Sequence, residues 1–134
     1  MEYKKSYKGF LLWLAGFIAA LLLLSFIPAE DGGLVTRLIC NLKTISLALL
    51  TWIIYKTEAV YWYNGTEYEA ARDAGSERRK AFAWKHFELF GWSAAIYLVF
   101  SIIAQFFGLP FWLDLAFAFV LVIGTAFSTM PIKL

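Results

Sequence analysis

Five polar side chains, Arg37, Asn41, Lys43, Thr44 and Asp114, interrupt stretches built otherwise of aliphatic and aromatic residues. In water such residues are commonplace. Inside hydrocarbon a central charge costs roughly 2.5–3.5 kcal/mol, so each one marks either a function or a pairing. Arg37, Asn41 and Thr44 follow one another at spacings of four and three, which places them on one helical face, and Ala48 extends the stripe. Asp114 is the only aspartate in an apolar run. Two chemistries are open to this group. One is a polar pocket or ion path opening to the exterior, with Asp114 as its anionic element. The other is an Arg37–Asp114 or Lys43–Asp114 pair that neutralises charge and fixes helix packing. Charges near helix ends reach water by snorkelling at little cost, which favours the pairing. Lys43 lies deepest, about nine residues or 13 Å from the outer end of its helix.

A second polar group, Lys85, His86 and Glu88, opens the third apolar run. Lys85 and Glu88 are three apart and can pair on one face. His86 is the single histidine, and one imidazole without a Cys or His partner is no metal site. A proton relay is conceivable near neutral pH, but an interfacial histidine at a helix end is the simpler reading. Cys40 stands alone in apolar surroundings that disfavour the thiolate, so it is no nucleophile. Phosphate-binding glycine patterns, HExxH and the Gly-x-Ser-x-Gly elbow are all missing, as is a second intramembrane aspartate. The expectation is a protein that is not an enzyme, with no catalytic residues, no metal and no cofactor.

What must position these groups follows from composition. Of 134 residues, 61% are hydrophobic and 16% charged, with a mean hydropathy of +0.66. Soluble domains run nearer 45–50% apolar and about 25% charged. Disorder is excluded. A net charge of +2 is too weak a footprint for nucleic acid. One cysteine rules out a disulfide scaffold. The apolar residues fall into runs of about 18 or more, the length that favours a membrane span. The expected fold class is therefore all-α: a polytopic membrane protein with four transmembrane helices, at about 10–27, 34–57, 81–107 and 109–130. Period-two alternation is absent, which excludes a membrane barrel. The first run is too long for a signal peptide and lacks a cleavage site, so it reads as a retained helix.

Basic residues set the orientation. Lys4, Lys5 and Lys8 precede the first run; Lys56, Arg72, Arg78, Arg79, Lys80 and Lys85 lie around the central segment; Lys133 is near the end. The first loop carries Glu30 and Asp31 instead. The bias places both termini and the central loop in the cytoplasm, in the inner (plasma) membrane.

The segment 58–80 carries helical signals. Asn64-Gly65 suits a helix end, and Thr66 with Glu69 forms a capping box. Asn64-Gly65-Thr66 also matches a glycosylation sequon, but a cytoplasmic turn explains it. Helix two could run to about Tyr63, with Ser76 capping the third membrane helix. A tight hairpin at Gly65 would set Lys43 level with Glu88; a loop lying flat up to Gly75 would set it near Tyr97 and Asp114. Tyr61, Tyr63, Trp62 and Trp84 suit the headgroup layer, which favours the second register. Small residues four apart, Gly16/Ala20, Gly91/Ala95 and Gly124/Ser128, offer close helix approach within the chain or between copies.

The function expected from these features is that of a small membrane subunit. It would assemble with itself or a larger complex and help form a channel or transporter pathway through the outer polar cluster. The alternative is a structural or regulatory accessory without transport activity, docking a partner through Arg72, Arg78, Arg79 and Lys80. The lipid bilayer is its solvent in either case, and no internal repeat supports a self-contained transporter.

Overall fold

The computed structural model describes residues 2–28, 30, 32–63 and 65–134. Its elements in chain order are α1 (Lys8–Leu24), α2 (Gly32–Thr57), a 3-10 turn (Val60–Trp62), α3 (Tyr68–Ala74), α4 (Ser76–Phe107) and α5 (Phe111–Thr129). No strand occurs among the described residues. Three helices, α2, α4 and α5, are long and apolar enough to cross a membrane. The fourth apolar helix, α1, has 17 residues, about 26 Å at 1.5 Å per residue, just short of a 30 Å hydrocarbon core.

Local chemistry explains the boundaries. Gly75 adopts φ +80 and Gly108 φ +61, conformations that cost glycine little, and they bracket α4. After Gly108 the Leu109 N–H returns to the Ala104 carbonyl at 2.9 Å, the bond that closes a helix on a left-handed residue. Pro110 then opens α5 and turns it back beside α4.

The other boundaries refine the sequence reading. α2 stops at Thr57, as expected for the span, and does not run on to Tyr63: Glu58 takes a positive φ of 58 and its carboxylate is drawn into an ion-pair cluster. Thr66 does not cap α3: Glu67 holds the N-cap position without a side-chain bond. Ser76 is the first residue of α4 and not its cap, since its hydroxyl donates to Glu58 Oε1 at 2.7 Å. The proposed roles of Asn64 and Asp31 lie outside the described residues.

α2 is the hub, packed on α4 most extensively and on α1 and α5 as well. α4 buries the small residues Ala83, Ser93, Ala94, Ser101 and Ala104; Ala83 packs in a cluster with Ile54 of α2, and Ser101 meets Asn41 of α2. By contrast, a Cβ added at Gly16, Gly91 or Gly124 would meet nothing within 4 Å, so those small-residue pairs are not packing sites within the chain. α1 runs antiparallel along α2, joined to it by the Trp13 indole N–H donating to the Ser46 carbonyl at 2.7 Å.

The N-terminal segment, the central loop and the C-terminal tail gather at one end of the bundle. Tyr3 donates to the Glu58 carbonyl, Tyr68 donates to the Tyr3 carbonyl, and Trp62 donates to the Ser6 carbonyl. Tyr3 stacks on Tyr68 with ring centroids 5.4 Å apart. Arg79 lies beneath this clasp, its guanidinium 3.9 Å from the Tyr3 ring centre and 2.8 Å from Glu58 Oε2.

The clasp has a defined pH window. Burial would raise the Glu58 carboxyl, but hydrogen bonds from Ser76 and Arg79 and the charges of Arg79 and Lys80 outweigh it and hold it below the ordinary 4.5. Burial pushes the Tyr3 phenol up from 10.0 to about 12, against the opposing pull of Arg79. A lowered acid stabilises the fold above its unfolded value and loses that contribution as pH falls through the folded one. A raised phenol stabilises it below 10.0 and loses that contribution as pH rises towards about 12. Amide exchange of residues 2–7 is therefore expected to stay slow between these limits and to accelerate beyond either.

Candidate functional site

At the opposite end of the bundle the intramembrane polar residues are brought together. Arg37 on α2 and Asp114 on α5 form an ion pair, Nε to Oδ2 at 3.1 Å, with side chains 7% and 0% exposed. The second carboxylate oxygen, Oδ1, accepts from the Tyr97 hydroxyl at 3.1 Å. Arg37 has two further donors in use. One terminal nitrogen reaches Gln105 Oε1 at 2.7 Å, and the other donates to the Leu109 carbonyl in the α4–α5 connection. The fork of one guanidinium thus binds α4, the connection and α5 at once. Every nitrogen of Arg37 and both oxygens of Asp114 have partners.

Asn41, one turn further along α2, extends the network. Its amide donates to Ser101 Oγ at 2.8 Å and to the Arg37 carbonyl at 3.0 Å, while its buried Oδ1 has no partner among the described residues. Thr44 donates only within its own helix, to the carbonyls of Cys40 and Asn41. Cys40, Tyr97 and Ala118 pack as an apolar floor beneath the ion pair, backed by Phe100, Phe117 and Leu121.

These pairings set Arg37 level with Gln105 and Asn41 level with Ser101, so Lys43 falls near Val99, close to Tyr97 rather than Glu88. Lys43 does not pair with Asp114. It is half-buried and makes no hydrogen bond or ion pair among the described residues. Six residues from Arg37, it projects from a different face of α2, about 120° away at 100° per residue.

Three members of the network, Tyr97, Ser101 and Gln105, were not singled out as site residues in the sequence, yet the signal is present. They are spaced four apart on α4 and form a polar stripe complementary to Arg37 and Asn41 on α2. Reading polar stripes on both apolar runs together, rather than charges alone, finds them.

The remaining candidates are dispersed. Lys85 and Glu88 are exposed and form no ion pair with each other among the described residues. His86 is buried, stacked on Tyr63 with ring centroids 4.2 Å apart. Of the basic residues placed on a docking surface, Arg79 is buried in the Glu58 ion pair and also donates to the Ala71 carbonyl at 3.0 Å. Arg72 pairs with Asp73, Arg78 donates to the main-chain oxygen of Leu134, and Lys80 lies 3.7 Å from Glu58. Arg72, Arg78 and Lys80 remain exposed; Arg79 is not available to a partner.

Three long apolar helices, an exterior dominated by exposed Leu, Ile, Phe and Trp, and an ion pair sealed inside are the features of a helical membrane protein. No protein-family model matches the chain, and no curated protein or solved structure shows significant similarity to it.

Proposed function

We propose that this chain is a small multi-pass membrane subunit that works inside a larger complex, with its outer charge cluster serving as a helix lock rather than a conduction path. All four apolar helices cross the bilayer in this reading. α1 does so with help from the turn at Ser25–Ile27, and both termini and the central loop are cytoplasmic. Ten basic residues lie at the loop end against two at the other, the asymmetry expected of that orientation.

The observation that carries the proposal is Lys43. The chain's own intramembrane acid is committed to Arg37 and Tyr97, which leaves a half-buried cation deep in α2 without a counter-charge among the described residues. Its side chain leans towards the N-terminal end of α2, yet from about 13 Å depth it stays within hydrocarbon. A second, parallel copy offers no acid at that depth. Glu88 lies 11 residues from the Lys43 level along α4, about 16 Å away. The partner is therefore a different chain with an acidic side chain in its own span. Against a pathway stands the saturation of the Arg37 cluster, whose donors already have acceptors.

The test is the native mass of the chain extracted from its own membrane in mild detergent. Wild type is expected to carry a stoichiometric partner, Lys43→Arg to keep it and Lys43→Met to lose it while retaining its helical content. A wild-type monomer, or a partner still bound to Lys43→Met, would contradict the proposal.

A further inference from the structure

Ile39, Lys43, Leu47 and Leu50 follow one another along α2 at spacings of four, four and three, so they share one helical face. The chain covers this face incompletely: Ile39 is 40% exposed, and Lys43, Leu47 and Leu50 are half-buried. Its neighbours stand to either side. α1 meets α2 at Ser46, whose carbonyl accepts from Trp13, and a Cβ on Gly9 of α1 would touch Ile53 at 3.8 Å. At 100° per residue these two positions lie about 60–80° round α2 from Lys43. Arg37, which reaches Asp114 on α5, lies about 120° away on the other side. Equal cylinders packed round a central one take about 60° each, so the arc between α1 and α5 has room for one more helix at the usual separation of about 8–10 Å.

Towards the loop end the same face runs into a cleft of about 850 Å³, lined by Leu47, Leu50 and Phe82 and, from α5, by Ala126 and Met130. Packed interiors leave few voids larger than a water molecule, so a gap of this size is a place for an occupant. Its wall is largely apolar, and the charged residues that line it, Glu67 and Lys133, are of opposite sign. Ala126 and Met130 are exposed, so an occupant reaches the cleft from outside the bundle.

One occupant meets both needs of this face, a counter-charge at Lys43 and apolar bulk beyond it. A lipid chain fits an apolar cleft but carries its charge at the headgroup layer, not at the depth of Lys43. A helix whose acid faces Lys43 lies along the face, and its next turns pass Leu47 at about 6 Å and Leu50 at about 10 Å along the axis. Resting on the reading of Lys43 given above, we infer that the partner's membrane-spanning helix docks on α2 in the groove between α1 and α5. Its acid pairs with Lys43, and bulky apolar side chains one and two turns nearer the loop end fill the cleft. Van der Waals packing in the cleft supplies the attraction and the ion pair fixes the register.

The experiment photo-cross-links the full chain in its own membrane, with p-benzoylphenylalanine in place of Leu50 or Met130 in the cleft, or of Leu49 or Phe127 on the exposed faces beside it. Leu50 and Met130 are expected to cross-link to the chain that co-purifies with wild type, and Leu49 and Phe127 to give no protein adduct above the unirradiated control. The peptide joined to position 50 is expected to come from an apolar span with an Asp or Glu within about seven residues, the separation of Leu50 from Lys43. Retained circular dichroism shows that each variant is folded; should the change at Leu50 fail that control, the exposed Met130 carries the test. A co-purifying partner that cross-links from Leu49 and Phe127 instead, or adducts at Leu50 and Met130 with lipid alone, would overturn the groove while the reading of Lys43 stands. A wild-type chain without a partner, or a cross-linked span without an acid, would overturn both.

Discussion

Replacing Asp114 by alanine is expected to destabilise the bundle by about 3–5 kcal/mol, the cost of leaving a buried charge uncompensated. The carboxylate is fully buried and accepts from Arg37 and Tyr97. Its loss strands the Arg37 guanidinium in a low-dielectric interior and leaves the Tyr97 hydroxyl without an acceptor. Replacing the pair together, as Arg37→Met with Asp114→Leu, removes both charges and is expected to recover much of that loss. Recovery will be incomplete, because Gln105 and the Leu109 carbonyl also lose the donor they share. Unfolding of Arg37→Met, Asp114→Leu and their double, titrated in mixed micelles, gives the coupling as a double-mutant cycle. A coupling near zero would mean that the pair does not hold the helices together.

The second large effect belongs to the loop end. Arg79→Met is expected to cost about 2–4 kcal/mol and to release the N-terminal segment. Arg79 neutralises Glu58, fills the Ala71 carbonyl and lies under Tyr3, so one substitution empties three contacts. Glu58 keeps Ser76 and the more distant Lys80, which is why the effect is smaller than at Asp114. The readout is faster amide exchange in residues 2–7 and at the end of α2, with the Arg37 end unaffected. Slow exchange throughout would show that the aromatic contacts alone secure the clasp.

How much of this was legible follows from the physics of each feature. Long uncharged runs announce spans because hydrocarbon tolerates few alternatives, and α2, α4 and α5 follow them closely. The Arg37–Asp114 pairing was readable as one of two options, because so few polar groups could meet at that depth. Choosing between Arg37 and Lys43 needed the rotation of α2, which the stripe Arg37–Asn41–Thr44 already encodes. The end of α2 at Thr57 follows the apolar run, but the left-handed turn at Glu58 was not legible. No glycine or proline marks it, and the positive φ there is sustained by Arg79, Ser76 and Lys80, all from a distant part of the chain. Arg79 misled for the same reason: in a run of exposed cations, nothing local distinguishes the one that turns inward. The contact of His86 with Tyr63 was equally hidden, since the two meet only through tertiary packing.

We propose that the outer polar cluster locks helices and conducts nothing. It is tested most directly by ion and solute flux into proteoliposomes holding wild type and the Arg37→Met, Asp114→Leu double variant at equal, folded density. Background flux is expected for both. Flux above background in wild type that the folded double variant abolishes would contradict it.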